Sequence, residues 1–236
     1  MKLSAIQKFT VLDYPGKVAC IAFTPGCNMR CGFCHNPEFV LPERIRELAP
    51  SFIDETTLLR FLDKRQGLLD GVVVSGGEPT IWQSLPTMLR NIKARGFLVK
   101  LDTNGSHPTM LKALLQERLV DYVAMDIKTA LPKYQELVGT TVKPESIQES
   151  IKLLHSTDIP CEFRTTLIKE IHTPEILEAI LKLVTGAKQY FLQSYRPGHT
   201  LKACFTKYHP FSKSEMYLLA ERFRKGVERV GVRSDS

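Results

Sequence analysis

The sequence has no apolar run long enough to cross a bilayer: its most apolar stretches, Val18 to Phe23 and Gly71 to Val74, fall far short of roughly 20 residues. No membrane association is expected. The opening MKLSAIQKFTVLDYPGK carries Lys2 but no continuous apolar core and no small-residue cleavage site, so no secretory signal is expected and the cytoplasm is the expected location. Runs of five or more basic residues are also missing. Although 32 Lys and Arg against 25 acids give a net charge of +7, so dispersed an excess reads as a solvated surface, and nucleic acid is not expected as a partner. There is no linker, no low-complexity tract and no repeat beyond an alternation of strands and helices, so residues 1–236 are read as one domain. With 43% hydrophobic and 24% charged residues the composition is that of an ordinary globular protein.

Cysteine is present but unevenly placed. Of six, Cys27, Cys31 and Cys34 crowd together, while Cys20, Cys161 and Cys204 stand alone. In a chain without a secretion signal, close spacing means metal or redox chemistry before it means disulfides. The isolated three are read as small buried hydrophobes, Cys20 and Cys161 lying in apolar, strand-like runs.

Continuous apolar runs predict strands at Val18 to Thr24, Gly71 to Ser75, Phe97 to Asp102, Val120 to Asp126, Cys161 to Ile168 and Tyr190 to Gln193. Amphipathic helices are expected between them, at Asp54 to Lys64, Leu85 to Arg95, Pro108 to Glu117, Pro144 to His155 and Pro174 to Val184, with a last one at Ser214 to Val230. Asp54 is a candidate N-cap, and three helices open on Pro, a residue suited to a first turn. This alternation predicts an α/β parallel sheet with covering helices. Each of the first four strands runs into a polar or glycine-rich segment at its C-terminal end: TPGCNMRCGFCHN, SGGEPT, DTNGS and MDIKT. α/β folds carry their sites on that edge, so one site is expected there.

Cys27-Asn28-Met29-Arg30-Cys31-Gly32-Phe33-Cys34 is C-x3-C-x2-C, which leaves a fourth ligand to be found. Structural zinc needs four protein ligands, and adjacent His35 is the candidate; the alternative is a four-iron cluster with one iron open to a small molecule.

CNMRCGFC followed by SGGEP resembles the paired signatures of the radical S-adenosylmethionine (SAM) superfamily. LDYPGK, FTPGCNMRCGFCHNPE, LLDGVVVSGGEPT, KLDTNG and VDYVAMDIKT occur in the order seen in glycyl-radical activating enzymes, and the chain is most similar to the activating proteins of anaerobic ribonucleoside-triphosphate reductases. The resemblance implies a partial (β/α)6 TIM-type barrel, with a core over about residues 15–195 and a C-terminal helix near 214–230. It implies Cys27, Cys31 and Cys34 on a 4Fe-4S cluster whose fourth iron takes SAM, with Phe33 and Asn36 beside the adenosyl group. It places Gly76 and Gly77 at the methionyl amine, oriented by Glu78. Asp102, Thr103, Asp126 and Lys128 fall where related activases hold a monovalent cation and the SAM carboxylate. Phe33 is equally a packing aromatic, SGGEP a tight turn, and each Asp with its Lys a surface pair.

Arg164, inside an apolar strand, must find a carboxylate or face the site. His199 is offered by QSYRPGH where the family carries a histidine, but with different spacing. The implied function is an activase that cleaves SAM reductively and places a radical on a glycine of a partner enzyme, with a flavodoxin- or ferredoxin-type protein as reductant. Two alternatives stand beside it: a small-molecule radical SAM enzyme such as a 7-carboxy-7-deazaguanine synthase, and a zinc-stabilised binding module.

Overall fold

The structure is a computed structural model that describes residues 1–140 and 142–234. Its main sheet has eight strands: β1 (Ala5–Thr10), β2 (Ala19–Thr24), β3 (Gly71–Gly76), β4 (Leu98–Thr103), β5 (Tyr122–Asp126), β6 (Cys161–Leu167), β7 (Gln189–Ser194) and β8 (Arg229–Arg233). They lie in sequence order across the sheet. β1 is antiparallel to β2, and every later neighbour is parallel. The ends, β1 and β8, are not paired with each other, so the barrel is partial. The six expected strands are all present, extended by one strand on each side.

Helices return the chain between parallel strands, and proline starts several of them. Pro108, Pro144 and Pro174 open the helices Pro108–Gln116, Pro144–Ser156 and Pro174–Val184, where the missing N–H costs nothing. Asp54 precedes the helix Glu55–Asp63 in extended conformation, but its side chain caps no amide. The last helix, Lys213–Phe223, is shorter than expected, and the chain turns to form β8 instead of continuing to Val230.

The side-chain alternation of the strands sorts residues to two faces. On the outer face Cys20, Ala22, Val72, Val74, Val99 and Leu101 pack beneath helix residues such as Leu58, Leu62 and Leu89. On the inner face the lower end is apolar: Ala19, Ile21, Val73 and Tyr122 close around Tyr14, whose ring meets that of Tyr122 at 6.1 Å between centroids. Charge enters at this layer and continues above it: Lys100 is level with Val73 and Tyr122, Glu162 with Ala124, and Arg164 with Asp126. The apolar plug therefore closes one end, and charged groups rise from it toward the C-terminal edge. Cys20 is buried as expected and Cys161 half-buried, but Cys204 is exposed; in its short 3-10 turn, Ala203–Lys207, Phe205 takes the inward place.

Candidate active site

At the C-terminal edge a cavity of about 290 Å³ is lined by Cys27, Cys31 and Cys34 on one side and by the ends of β3 to β6 on the other. The cysteine segment is anchored by backbone hydrogen bonds to four separate parts of the chain. Gly26 N–H donates to Phe39 O (2.8 Å), Glu78 N–H to Gly26 O (2.7 Å), Arg30 N–H to Val138 O (2.7 Å), and Leu201 and Lys202 N–H to Cys34 O and Gly32 O (3.0 and 2.9 Å). Burial pushes the Cys27 thiol up to about 12 and that of Cys31 to about 11, so both keep their protons at neutral pH until a metal displaces them.

The glycines of SGGEP serve this anchoring. A Cβ on Gly77 would lie 1.9 Å from Gly26 O, and one on Gly76, at φ +112°, 2.5 Å from the backbone of Thr24. Only glycine lets β3 approach the cysteine segment so closely. Glu78, 1% exposed, is likewise occupied: it accepts from Thr80 N–H and Oγ1, from Thr103 Oγ1 (2.7 Å) and from Asn104 N–H (2.6 Å). Burial raises its pKa, although these donors favour the charged form. Its carboxylate ties the end of β3 to the end of β4.

Arg164 joins the two carboxylates. Its Nε donates to Asp126 Oδ1 and its Nη2 lies 3.3 Å from Asp102 Oδ2. Lys100 closes on Asp102, Ser75 Oγ donates to it (3.0 Å), and Lys128 Nζ donates to Asp126 Oδ2 at 2.9 Å. For both acids burial works against the charged form, but Arg164 and the neighbouring lysines outweigh it and hold the carboxyls below their usual range. Lys128, which burial alone would lower, is raised by Asp126. Two cations of the cavity lining, Lys128 and Arg164, are thus set among Asp102 and Asp126, with Lys100 beneath.

The sequence-derived residues thus converge: all twelve expected site residues border this one cavity or, in Arg164's case, an added thirteenth does. Phe33 lines it while packing on Phe205 at 5.9 Å between centroids, and exposed Asn36 stands at its mouth. His199 does not enter; it is exposed and pairs with Glu38 at 3.1 Å. His35, the candidate fourth zinc ligand, is hydrogen-bonded to Arg196 O at 2.7 Å. Among the described residues no three of His, Cys, Asp and Glu converge on one metal-sized point, as zinc with its bonds of about 2.3 Å requires. Three thiols spread along one cavity wall, with Met29 N–H 3.4 Å from Cys27 Sγ, fit a larger thiolate-bound cluster.

Two residues escaped the sequence reading. Asn104 follows Thr103 within DTNGS and lies over the cysteines. Buried His172 accepts Ile168 N–H at Nδ1 (2.9 Å), which leaves its Nε2 to donate to Lys128 O (3.1 Å); no short motif marks it.

The Radical SAM superfamily model matches residues 21–184, well over half of the chain, and the chain belongs to that superfamily of enzymes. Membership implies a 4Fe-4S cluster and SAM. A Methanocaldococcus jannaschii protein, provisionally named as the glycyl-radical enzyme activating enzyme MJ1227, is 31% identical over 98% of this chain and 95% of its own length. The pyruvate formate-lyase-activating enzyme of Listeria monocytogenes is 28% identical over 85% of this chain and 82% of its own. Among solved structures, Streptococcus suis SuiB bound to S-adenosylmethionine shares the fold with a TM-score of 0.64 at 15% identity, over 92% of this chain. This chain spans 52% of SuiB's length. TYW1 with a lysine-pyruvate adduct gives 0.60 at 16% identity, over 89% of this chain and 74% of its own.

Proposed function

We propose that the protein is an activase that cleaves SAM reductively and generates a glycyl radical on a partner enzyme. The observation that carries this is the opposition, across one cavity, of three cysteine thiols and a wall of paired acids and bases, Asp102 and Asp126 with Lys128 and Arg164. Relatives named as glycyl-radical enzyme activating enzymes along nearly the whole chain support the activase role. Cys27, Cys31 and Cys34 would hold the cluster, which supplies with SAM the one-electron cleavage that yields a 5′-deoxyadenosyl radical.

The chain's own residues do the rest. Lys128 and Arg164 present positive charge to the SAM carboxylate, with Asp102, Thr103 and Asp126 setting their positions or sharing a monovalent cation. Gly76 and Gly77 bring β3 under the methionyl end, while Glu78 fixes the β4 end that walls it. Phe33 and Asn36 border the adenosyl side. The apolar plug around Tyr14 excludes water from below, which protects a radical from competing hydrogen donors. The partner we assign is an anaerobic ribonucleoside-triphosphate reductase, with a flavodoxin- or ferredoxin-type reductant in the cytoplasm.

The test is anaerobic reconstitution with iron and sulfide, then dithionite and SAM, with 5′-deoxyadenosine measured beside Cys31→Ala. The wild type alone should form it. Incubation with candidate glycyl-radical enzymes should then give a glycyl radical by electron paramagnetic resonance on the anaerobic reductase. A radical on a pyruvate formate-lyase instead would reassign the partner, and turnover of a pterin with no protein radical would favour a small-molecule enzyme.

A further inference from the structure

We propose that Asn104 sets the reduction potential of the centre held by the three cysteines, by donating a side-chain N–H to the Cys27 thiolate. The inference rests on the cluster reading above and adds a positioning residue to it. Asn104 is nearly buried and borders the cavity, and its backbone is fixed because its N–H donates to Glu78 Oε2 at 2.6 Å. The orientation of its amide is decided by its neighbours. Oδ1 accepts the backbone N–H of Ser106 at 2.9 Å and the Ser106 hydroxyl at 2.5 Å. A backbone N–H can only donate, so the oxygen must lie on that side and Nδ2 on the other.

Nδ2 carries two protons. One goes to Asn28 Oδ1 at 3.0 Å and the other points at Cys27 Sγ at 3.9 Å, the long end for a sulfur acceptor. Asn28 Nδ2 donates in turn to Ser106 Oγ at 2.8 Å, which closes a ring of three side chains. A lone amide beside a sulfur can rotate away; this one is held. Together with Met29 N–H, Cys27 receives donors from two directions. Hydrogen bonds to ligating sulfurs stabilise the more negative, reduced state of an iron-sulfur centre and raise its potential. Asn104 thereby makes the centre easier to reduce and weaker as a reductant.

The experiment is a redox titration of the reconstituted wild type, Asn104→Ala, Asn104→Asp and Ser106→Ala, followed by electron paramagnetic resonance of the reduced cluster. Asn104→Ala should shift the midpoint to more negative potential. Asn104→Asp, which matches Asn in size and keeps the acceptor for Ser106, should shift it further in the same direction. Ser106→Ala leaves Asn104 in place but loosens its orientation, and should give a smaller shift of the same sign. Midpoints equal to the wild type in the loaded variants would overturn the proposal. So would failure of all three variants to take up iron, which would make the ring a scaffold of the cysteine segment. Absence of any reduced-cluster signal in the wild type would instead refute the four-iron reading itself.

Discussion

Arg164 is the side chain on which most of the buried charge depends. Replacing it by Ala leaves Asp102 and Asp126 facing each other with only Lys100, Lys128 and Ser75 for support. Breaking such a buried arrangement costs about 3 kcal/mol, to be read from urea unfolding at pH 7. The two carboxyls are held below their usual range, so their stabilisation is complete above the unfolded value near 4 and is lost as pH falls through the folded values. The gap between wild type and Arg164→Ala should therefore narrow at pH 3; a constant gap would mean that Arg164 acts by packing alone. Gly77 gives a second test at this scale. A methyl group there meets the carbonyl of Gly26, and since backbone cannot yield as a side-chain tip does, Gly77→Ala should cost about 2 kcal/mol and lower iron uptake. Normal uptake would show that the segment accommodates a shift.

Among elements, the edge strand β8 adds to its backbone pairing with β7 one charged contact reaching into the barrel. Arg233 donates to both oxygens of Glu162, at 2.8 and 2.9 Å, and lies over the Phe191 ring at 3.8 Å. Glu162 is fully buried, with Tyr122 OH as its other donor. Arg233→Ala should cost about 3 kcal/mol and speed amide exchange across residues 229–233; exchange unchanged from wild type would mean that backbone pairing to β7 suffices. This strand also shows where sequence legibility ended. The six central strands are largely buried and read as mostly apolar runs, although β4 carries Lys100 and β6 carries Glu162 and Arg164. Between the last helix and β8 the buried residues Phe223, Val227 and Val230 are spaced four and three apart, which is helical spacing, so sequence pattern alone does not separate the strand from the helix before it. The chain in fact leaves the helix through two tightened i→i−3 bonds, Lys225 N–H to Arg222 O and Gly226 N–H to Phe223 O. β1, with Gln7, Lys8 and Phe9 exposed, offers no apolar run at all. The site was more legible than its roles: its residues sit on strand ends that local pattern locates, whereas the engagement of Glu78 by β4 and of both acids by Arg164 depends on which strands are neighbours.

For the molecule as a whole, the question is whether folding needs the cluster. In small metal-dependent domains the binding energy of the metal is the folding energy, and removing it unfolds the chain. Here the main apolar core lies between sheet and helices, and a second, around Tyr14, lies at the end of the barrel away from the cysteines. The cysteine segment itself is held by amide hydrogen bonds to the ends of β3, to Phe39, to Val138 and to the 201–202 segment. None of these bonds involves a sulfur. Cluster-free protein, prepared with a chelator under reducing conditions, should therefore keep its near-ultraviolet circular dichroism and unfold in one cooperative transition. Its Tm should fall only by the linkage contribution of a ligand bound to the native state. SAM added to the reconstituted protein should raise Tm again, as a ligand bound to the native state does. A chelated protein that loses its tertiary signal would show that the three thiolates and their metal organise the C-terminal edge, and that the backbone anchors form only once the cluster is in place.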